Sequence, residues 1–288
     1  MRNLIKKIRK MEIGKFIKIV GFIFLILGIG VVFFHKYPND WPYCHLIKNF
    51  YANVSIEFMS IAITILLINY LYEEKEKSNS KKRLIRELGS EEKGMTSRAL
   101  KELKENGWLR DGSLKNADLS NANLSGLDFS GAILENVNFK DAILDNIILK
   151  GATIKKSNFS NTKLSKAIFE SAKLFDSEFH TAELSKAIWD GARIKECDFM
   201  HATLELSEWR GASTSECKFE DANLKFSDFK RAVFINCILL RANFQSVNVE
   251  DAKFERCDLK SLQNWAEIEN RKETTFKAPK NPPSGFCK

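Results

Sequence analysis

Ala117-Asp118-Leu119-Ser120-Asn121-Ala122-Asn123-Leu124-Ser125-Gly126 contains two leucines five residues apart, each with an alanine two positions before it. Extended in both directions, this register runs without insertion from Leu114 to Leu259. Of its thirty positions, twenty-nine are Leu, Ile, Val, Phe or Trp, and Thr214 is the exception. The residue two before each position is usually small: sixteen Ala, four Ser, four Cys and one Gly among the thirty. Apolar residues make up about half of an average chain, so chance does not arrange them this way. A period of five fits neither the 3.6 of a helix nor the 2 of a strand. Internal repetition is therefore the architecture.

These residues, with Ala222-Asn223-Leu224 further on, resemble the pentapeptide-repeat family, whose consensus is A(D/N)LXX. The resemblance covers about half the chain. It implies a right-handed quadrilateral β-helix in which each pentapeptide forms one side of a twenty-residue coil. The central residue and the small residue two before it then point inward, and the other three positions face water. Residues twenty apart should stack, and the sequence is consistent with that. One column reads Phe139, Phe159, Phe179, Phe199, Phe219; another reads Leu124, Leu144, Leu164, Leu184, Leu204, Leu224; a third sets Trp189 and Trp209 between Phe169 and Phe229. Thirty pentapeptides make about 7.5 coils, roughly 36 Å at the spacing of neighbouring β-strands. A solenoid needs protected ends. The segment around Trp108 is the candidate at one end, and Trp265 with the Pro-containing tail at the other.

Cys197, Cys217, Cys237 and Cys257 are also twenty apart, all at the small inward position, in a column that begins with Ser157 and Ser177. A line of parallel thiols builds neither a tetrahedral metal site nor a disulfide, because neighbouring coils point their Cβ atoms the same way. These cysteines read as packing, and no metal or cofactor is expected.

The 288 residues carry a net charge of +8, divided unevenly. Residues 1–108 hold 19 basic and 11 acidic side chains (net +8), residues 109–262 hold 21 and 23 (net −2), and the tail holds 5 and 3 (net +2). The basic excess accompanies two apolar runs. From Ile19 to Phe34 there is no polar side chain, and roughly twenty such residues cross a bilayer core as a helix. Val54–Tyr72 is a second run, interrupted by Glu57, Ser60, Thr64 and Asn69. The first run exceeds the usual core of a signal peptide and lacks a cleavage signature after it. Lys and Arg crowd the outer flanks of the pair: Arg2, Lys6, Lys7, Arg9, Lys10 and Lys15 before it, Lys75, Lys77, Lys81, Lys82, Arg83 and Arg86 after it. Only Lys36 and Lys48 lie between. The expectation is a multi-pass protein of the cell (inner) membrane with both termini cytoplasmic. Tyr37, Trp41 and Tyr43 in the outer loop suit an interfacial belt. Its His35, Cys44 and His45 lack the regular spacing of metal ligands.

The expected organisation is a basic N-terminus (1–15), transmembrane helix 1 (16–34), an outer loop (35–53), transmembrane helix 2 (54–72), a charged helical connector (73–108), the repeat β-helix (109–262) and a C-terminal cap or tail (263–288). The connector has an Asn106-Gly107 C-cap signal. Glu57-Phe-Met-Ser-Ile-Ala-Ile-Thr-Ile-Leu-Leu-Ile-Asn69, Lys82-Arg-Leu-Ile-Arg-Glu-Leu-Gly-Ser90 and Asn106-Gly-Trp-Leu-Arg-Asp-Gly-Ser-Leu114 are similar to bacterial pentapeptide-repeat proteins that place two membrane spans ahead of the repeats. That resemblance implies an architecture more than an activity.

No phosphate loop, nucleophile elbow or HExxH motif is present, and His180 and His201 stand apart on the outside of the coil, so no enzyme is expected. Glu57, Ser60 and Thr64 share one helix face, which is a candidate intramembrane polar stripe against the first helix or a second copy. Glu57 there is either a structural hydrogen-bonding group near the headgroups or an ion or proton site. Ile148, Ile168 and Ile188 stack just before the central position and are a candidate interaction surface, beside a column of Lys150, Glu170, Asp190, Arg210, Lys230 and Glu250. Some pentapeptide-repeat proteins resemble duplex DNA in size and charge and bind gyrase in its place. That requires a strongly acidic rod, and this one is nearly neutral, so no nucleic-acid partner or mimicry is expected. The reading is a membrane-anchored protein-interaction scaffold with an unidentified cytoplasmic partner and possible homo-oligomerisation. The alternative is a membrane effector whose hairpins permeabilise or conduct across the bilayer.

Overall fold

The computed structural model describes residues 13–34, 44–270 and 274–282. The basic segment 1–12 and the loop residues His35, Tyr37, Trp41 and Tyr43 lie outside it, as do the side chains of Cys44 and His45. The chain divides into two compact units, 1–80 and 81–288.

The first unit is helical. Helix α1 spans Ile13–Phe34 and α2 spans Cys44–Leu88. No Gly or Pro interrupts residues 44–88, so nothing breaks the backbone ladder between the expected loop, second span and connector. The second part of the outer loop and the first part of the connector are therefore one continuous helix with the apolar run, in place of three segments. The two helices approach closely through glycines of α1. A Cβ on Gly21 would lie 2.8 Å from Leu66 Cδ2, and one on Gly28 would lie 2.9 Å from Met59 Cγ. Lys18 pairs with Glu73 at 3.0 Å. Among the described residues, Ile56–Leu88 is long and apolar enough to cross a membrane by length and composition, and Ile17–Gly30 is a shorter apolar helix.

The second unit is an all-parallel β-solenoid of about seven turns, preceded by helix. Three-residue strands β1 (Ile133–Glu135), β2 (Thr153–Lys155), β3 (Lys173–Phe175), β4 (Arg193–Lys195), β5 (Ser213–Ser215), β6 (Val233–Ile235), β7 (Lys253–Glu255) and β8 (Thr275–Lys277) form one sheet in sequence order. Residue n pairs with residue n+20 from β1 to β7. Three further columns of parallel bridges carry the same spacing, so four pentapeptides close each coil. All thirty central positions are buried, Thr214 included.

The period of five has a backbone cause. The second residue after each central position sits in the left-handed region, as at Asn116, Asn121, Gly126, Gly131 and Asn136. On three of the four sides the amide three residues after the central position bonds back to its carbonyl, as in Ala122 N to Leu119 O at 3.2 Å, whereas on the sheet side that amide turns to the next coil, as in Val137 N to Ser157 Oγ at 3.2 Å. Asn, Asp and Gly, which tolerate φ > 0, recur at these corners.

Both ends are closed. Helix α3 (Lys93–Glu105) buries Thr96, Ala99, Leu100 and Leu103, and the last three join Leu84, Leu88 and Leu109 in the solenoid core. It ends as the sequence indicates: Gly107 adopts φ +74, Trp108 N bonds Leu103 O at 2.9 Å and Gly107 N bonds Lys104 O at 3.0 Å. This segment also satisfies the exposed edge of the first coil. Ser90 O accepts from Asn123 N at 3.0 Å, Leu109 O accepts from Ile133 N at 2.9 Å, and Thr96 Oγ1 donates to Asn123 O at 2.7 Å. A Cβ on Gly89 would sit 3.1 Å from Asp118 O, so the chain enters this cap on a residue without one. At the other end the solenoid continues past the expected boundary at 262. Asn248 bridges Glu269, then Phe254 pairs with Phe276. The spacing grows from twenty to twenty-one to twenty-two, so two single-residue insertions hide the last coil from the five-residue register. Trp265 is buried there, and Phe276 stacks on Phe254 at 5.2 Å.

Candidate interaction surfaces

The interior offers packing without a chemical site. Phe139, Phe159, Phe179, Phe199 and Phe219 stack at 4.7–4.9 Å between ring centroids. Beside them Phe169, Trp189 and Trp209 form a second pile. Cys197, Cys217, Cys237 and Cys257 are buried free thiols that donate to backbone carbonyls, for example Cys217 Sγ to Ser215 O at 3.2 Å. Burial pushes the Cys217 thiol well above its usual range, and contact with the Cys217 thiol together with burial carries Cys237 up to about 12. Thiols held so far from ionisation are poor nucleophiles at neutral pH. Among the described residues, no group of three or more His, Cys, Asp or Glu is placed to hold a metal ion.

Outside, charged side chains pair from coil to coil. Lys150 meets Glu170 at 2.9 Å, Arg210 meets Asp190 at 3.7 Å, and Lys230 meets Glu250 at 2.7 Å. Arg241 grips Asp221 through two bonds of 2.7 and 2.6 Å, which hold that carboxyl below its usual range. The two histidines are not isolated: His180 Nε2 lies 3.0 Å from Asp198 Oδ2, and His201 Nδ1 lies 4.0 Å from Asp221 Oδ2. Burial alone would raise Asp198, but the Met200 amide and His180 hold it low.

Ile148, Ile168 and Ile188 bridge one another in one column, yet each is half-buried where the sequence reading expected exposure. In a parallel ladder each side chain is covered by the ones above and below it. The exposed large apolar residues of the repeats are others: Leu206, 47% exposed, and Phe226, 51% exposed. They are twenty apart and both occupy left-handed corners, with φ of 58°. That column reads Gly126, Asn146, Lys166, Lys186, Leu206, Phe226, Ser246, so two bulky apolar residues interrupt a small or polar series. The signal lay in the twenty-residue spacing, at a position that attention to the central residue passes over. A bulky side chain at φ > 0 costs about 1–2 kcal/mol, and exposure adds to the cost.

In the first unit Glu57, Ser60 and Thr64 are exposed, while Ala62 and Asn69 are buried. The polar stripe therefore does not pack against α1. Thr64 Oγ1 donates to Ser60 O at 2.9 Å within the helix.

The profile of the family described as Pentapeptide repeats matches in eight copies, over residues 113–151, 132–170, 154–191, 197–234 and 222–260. The solenoid belongs to the pentapeptide-repeat family. The fold is shared with a trypsin-treated form of QnrB1, a plasmid-mediated fluoroquinolone resistance protein. That structure is 18% identical, covers 58% of this chain and 83% of its own, and has a TM-score of 0.50. A second pentapeptide-repeat structure, HetL from the cyanobacterium Nostoc sp. strain PCC 7120, involved in heterocyst differentiation regulation, is 20% identical over 61% of this chain and 89% of its own, with a TM-score of 0.29. Comparison with curated protein sequences finds no match.

Proposed function

We propose that this chain is a membrane-anchored scaffold: α1 and α2 hold it in a bilayer as a hairpin with both ends cytoplasmic, and the pentapeptide-repeat solenoid binds a cytoplasmic protein. The exposed, stacked Leu206 and Phe226 at strained corners are the observation that carries protein binding. A fold that bears strain and exposed apolar area on one corner gains from covering it. Anchoring is supported by the apolar surface of α1 and α2, where Phe22, Ile26, Ile63 and Leu67 are among the exposed side chains. It is supported further by α1's 22 residues, about 33 Å of helix, and by the basic flanks. Carbonate extraction of membranes tests the anchor. Proximity labelling from the solenoid in the native host, with wild type and L206N/F226N compared, tests the binding corner. Asn tolerates the left-handed corner, so the fold is kept. A partner labelled equally by both chains would remove that corner from the reading.

A second reading has its own observation. Glu57, Ser60 and Thr64 face away from α1, so in a bilayer they need another partner or a water path. In this reading the hairpins assemble and disturb the membrane. Dye leakage or growth arrest on overexpression, lost in Glu57→Ala, supports the effector; a stably bound partner without leakage supports the scaffold. QnrB1 shares the fold alone, and the charge of residues 109–262, 21 basic against 23 acidic, does not favour DNA mimicry. Unchanged gyrase supercoiling in the presence of the protein would remove that reading.

A further inference from the structure

On the outer faces of the solenoid, several cations are neutralised by the coil above or below, as at Lys150, Lys218, Lys230 and Arg241. On the sheet the pattern changes midway. The column that follows each central residue begins with Lys115 paired to Glu135 at 2.6 Å and ends with Lys277 paired to Glu255 at 3.6 Å. Between them lie Lys155, Phe175 and Lys195 in register. The column before the central residue reads Thr153, Lys173, Arg193, Ser213, which sets Lys173 directly against Arg193. Like charges opposite each other destabilise a sheet. Lys155, Lys173, Arg193 and Lys195 are all exposed, Phe175 lies half-buried among them, and Lys155 Nζ stands 5.8 Å from its ring centre. Among the described residues Lys195 reaches Glu196 and Glu216 and Lys155 stands in register with Glu135, whereas Lys173 and Arg193 have no carboxylate within ion-pair distance.

We propose that the patch of Lys155, Lys173, Arg193 and Lys195 around Phe175, on strands β2 to β4, binds an acidic segment of a partner protein. It goes beyond the scaffold reading by naming a second surface and the chemistry that fits it. Charge complementarity selects an anion, and the borders of the patch select a narrow one. Three strands span only about 10 Å. Asp176, Glu196 and Glu216 follow one another along the adjoining corner, and Glu135 and Glu255 stand on the same sheet to either side. A bilayer surface or a nucleic-acid duplex laid on this sheet would bring its phosphates against those carboxylates. An acidic peptide segment fits within them, with Phe175 available to an apolar residue interleaved among its acids.

The test uses the full chain in phosphatidylcholine nanodiscs, with fluorescein-labelled decaglutamate as the probe. Decaglutamate should bind at low salt and weaken as NaCl rises. K155E/K173E/R193E should weaken it by about tenfold or more, while K163E/K166E/K186E on another side should leave it unchanged. K173E alone should raise the melting temperature, because it faces Arg193 with the opposite sign, and this reports that the sheet is intact. Absence of decaglutamate binding at low salt, or equal loss in both triple variants, overturns the proposal. So does tighter, patch-dependent binding of a labelled DNA duplex or of phosphatidylserine vesicles. A proximity-labelled partner indifferent to the patch variants would leave the scaffold standing and remove this patch from it.

Discussion

Trp209 donates its Nε1 proton to Ser207 Oγ, two residues earlier, at 2.8 Å. One coil below, Trp189 stacks on it at 4.9 Å, but the corresponding position is Ala187, and the Trp189 Nε1 is buried without an acceptor. An unpaired buried donor costs about 1–3 kcal/mol. Ala187→Ser should supply the missing oxygen in the geometry already seen at Ser207, which itself donates to Leu204 O at 2.7 Å. The expected gain is about 1 kcal/mol, a rise in melting temperature of about 2–4 °C by calorimetry. No rise would mean that the pocket at Ala187 lacks room for the hydroxyl.

Thr214 interrupts the apolar column of the sheet between Ile194 and Phe234, and its Oγ1 is buried with no partner. Thr214→Val keeps the branched shape and removes the stranded hydroxyl. Stability should increase by about 1 kcal/mol in urea unfolding, with the slope unchanged.

Lys104 of α3 and Asp128 of the first coil lie 2.6 Å apart. That contact and the bonds from Ser130 hold the Asp128 carboxyl at about 2, below its ordinary 3.8. The folded state thus binds the proton more weakly than the unfolded chain. The contribution is present above pH 4 and is lost as pH falls toward 2. Both side chains are substantially exposed, so it amounts to no more than about 1 kcal/mol. Asp128→Asn should melt below wild type at pH 7, and the difference should shrink as pH falls from 4 through 2; a difference that stays constant over that range would assign the effect to something other than the carboxylate.

The cysteine column should be inert. With the thiols buried and Cys237 raised to about 12, iodoacetamide at neutral pH should modify none of Cys197, Cys217, Cys237 and Cys257 in the folded protein and all four in urea. Peptide mass spectrometry distinguishes the two states, and rapid labelling of the folded chain would show that the coils open locally.

The repeat register, the coil length and the inward ladders of Phe, Leu and Cys were all legible in the amino-acid sequence. The register and the ladders follow from one local rule repeated every five residues, the twenty-residue coil is what the resemblance to the pentapeptide-repeat family implies, and stacking multiplies both without new information. The cap at Asn106-Gly107 was legible for the same reason, since the left-handed turn after Leu103 is a local preference. Readings that depended on what covers a side chain were less secure. Ile148, Ile168 and Ile188 occupy outward positions, but their neighbours in the ladder half-bury them, and the exposed apolar pair is Leu206 and Phe226. The last coil escaped because two inserted residues shift Phe276 out of a register that its packing on Phe254 preserves.

By itself, then, the sequence determined the solenoid, because a period of five with small and large inward residues admits no helix or simple strand. Tertiary structure alone decided which charges are neutralised and which corners carry strain. It also decided that α3 closes the first coil, since these depend on contacts between residues twenty or more apart whose side chains compete for the same partners.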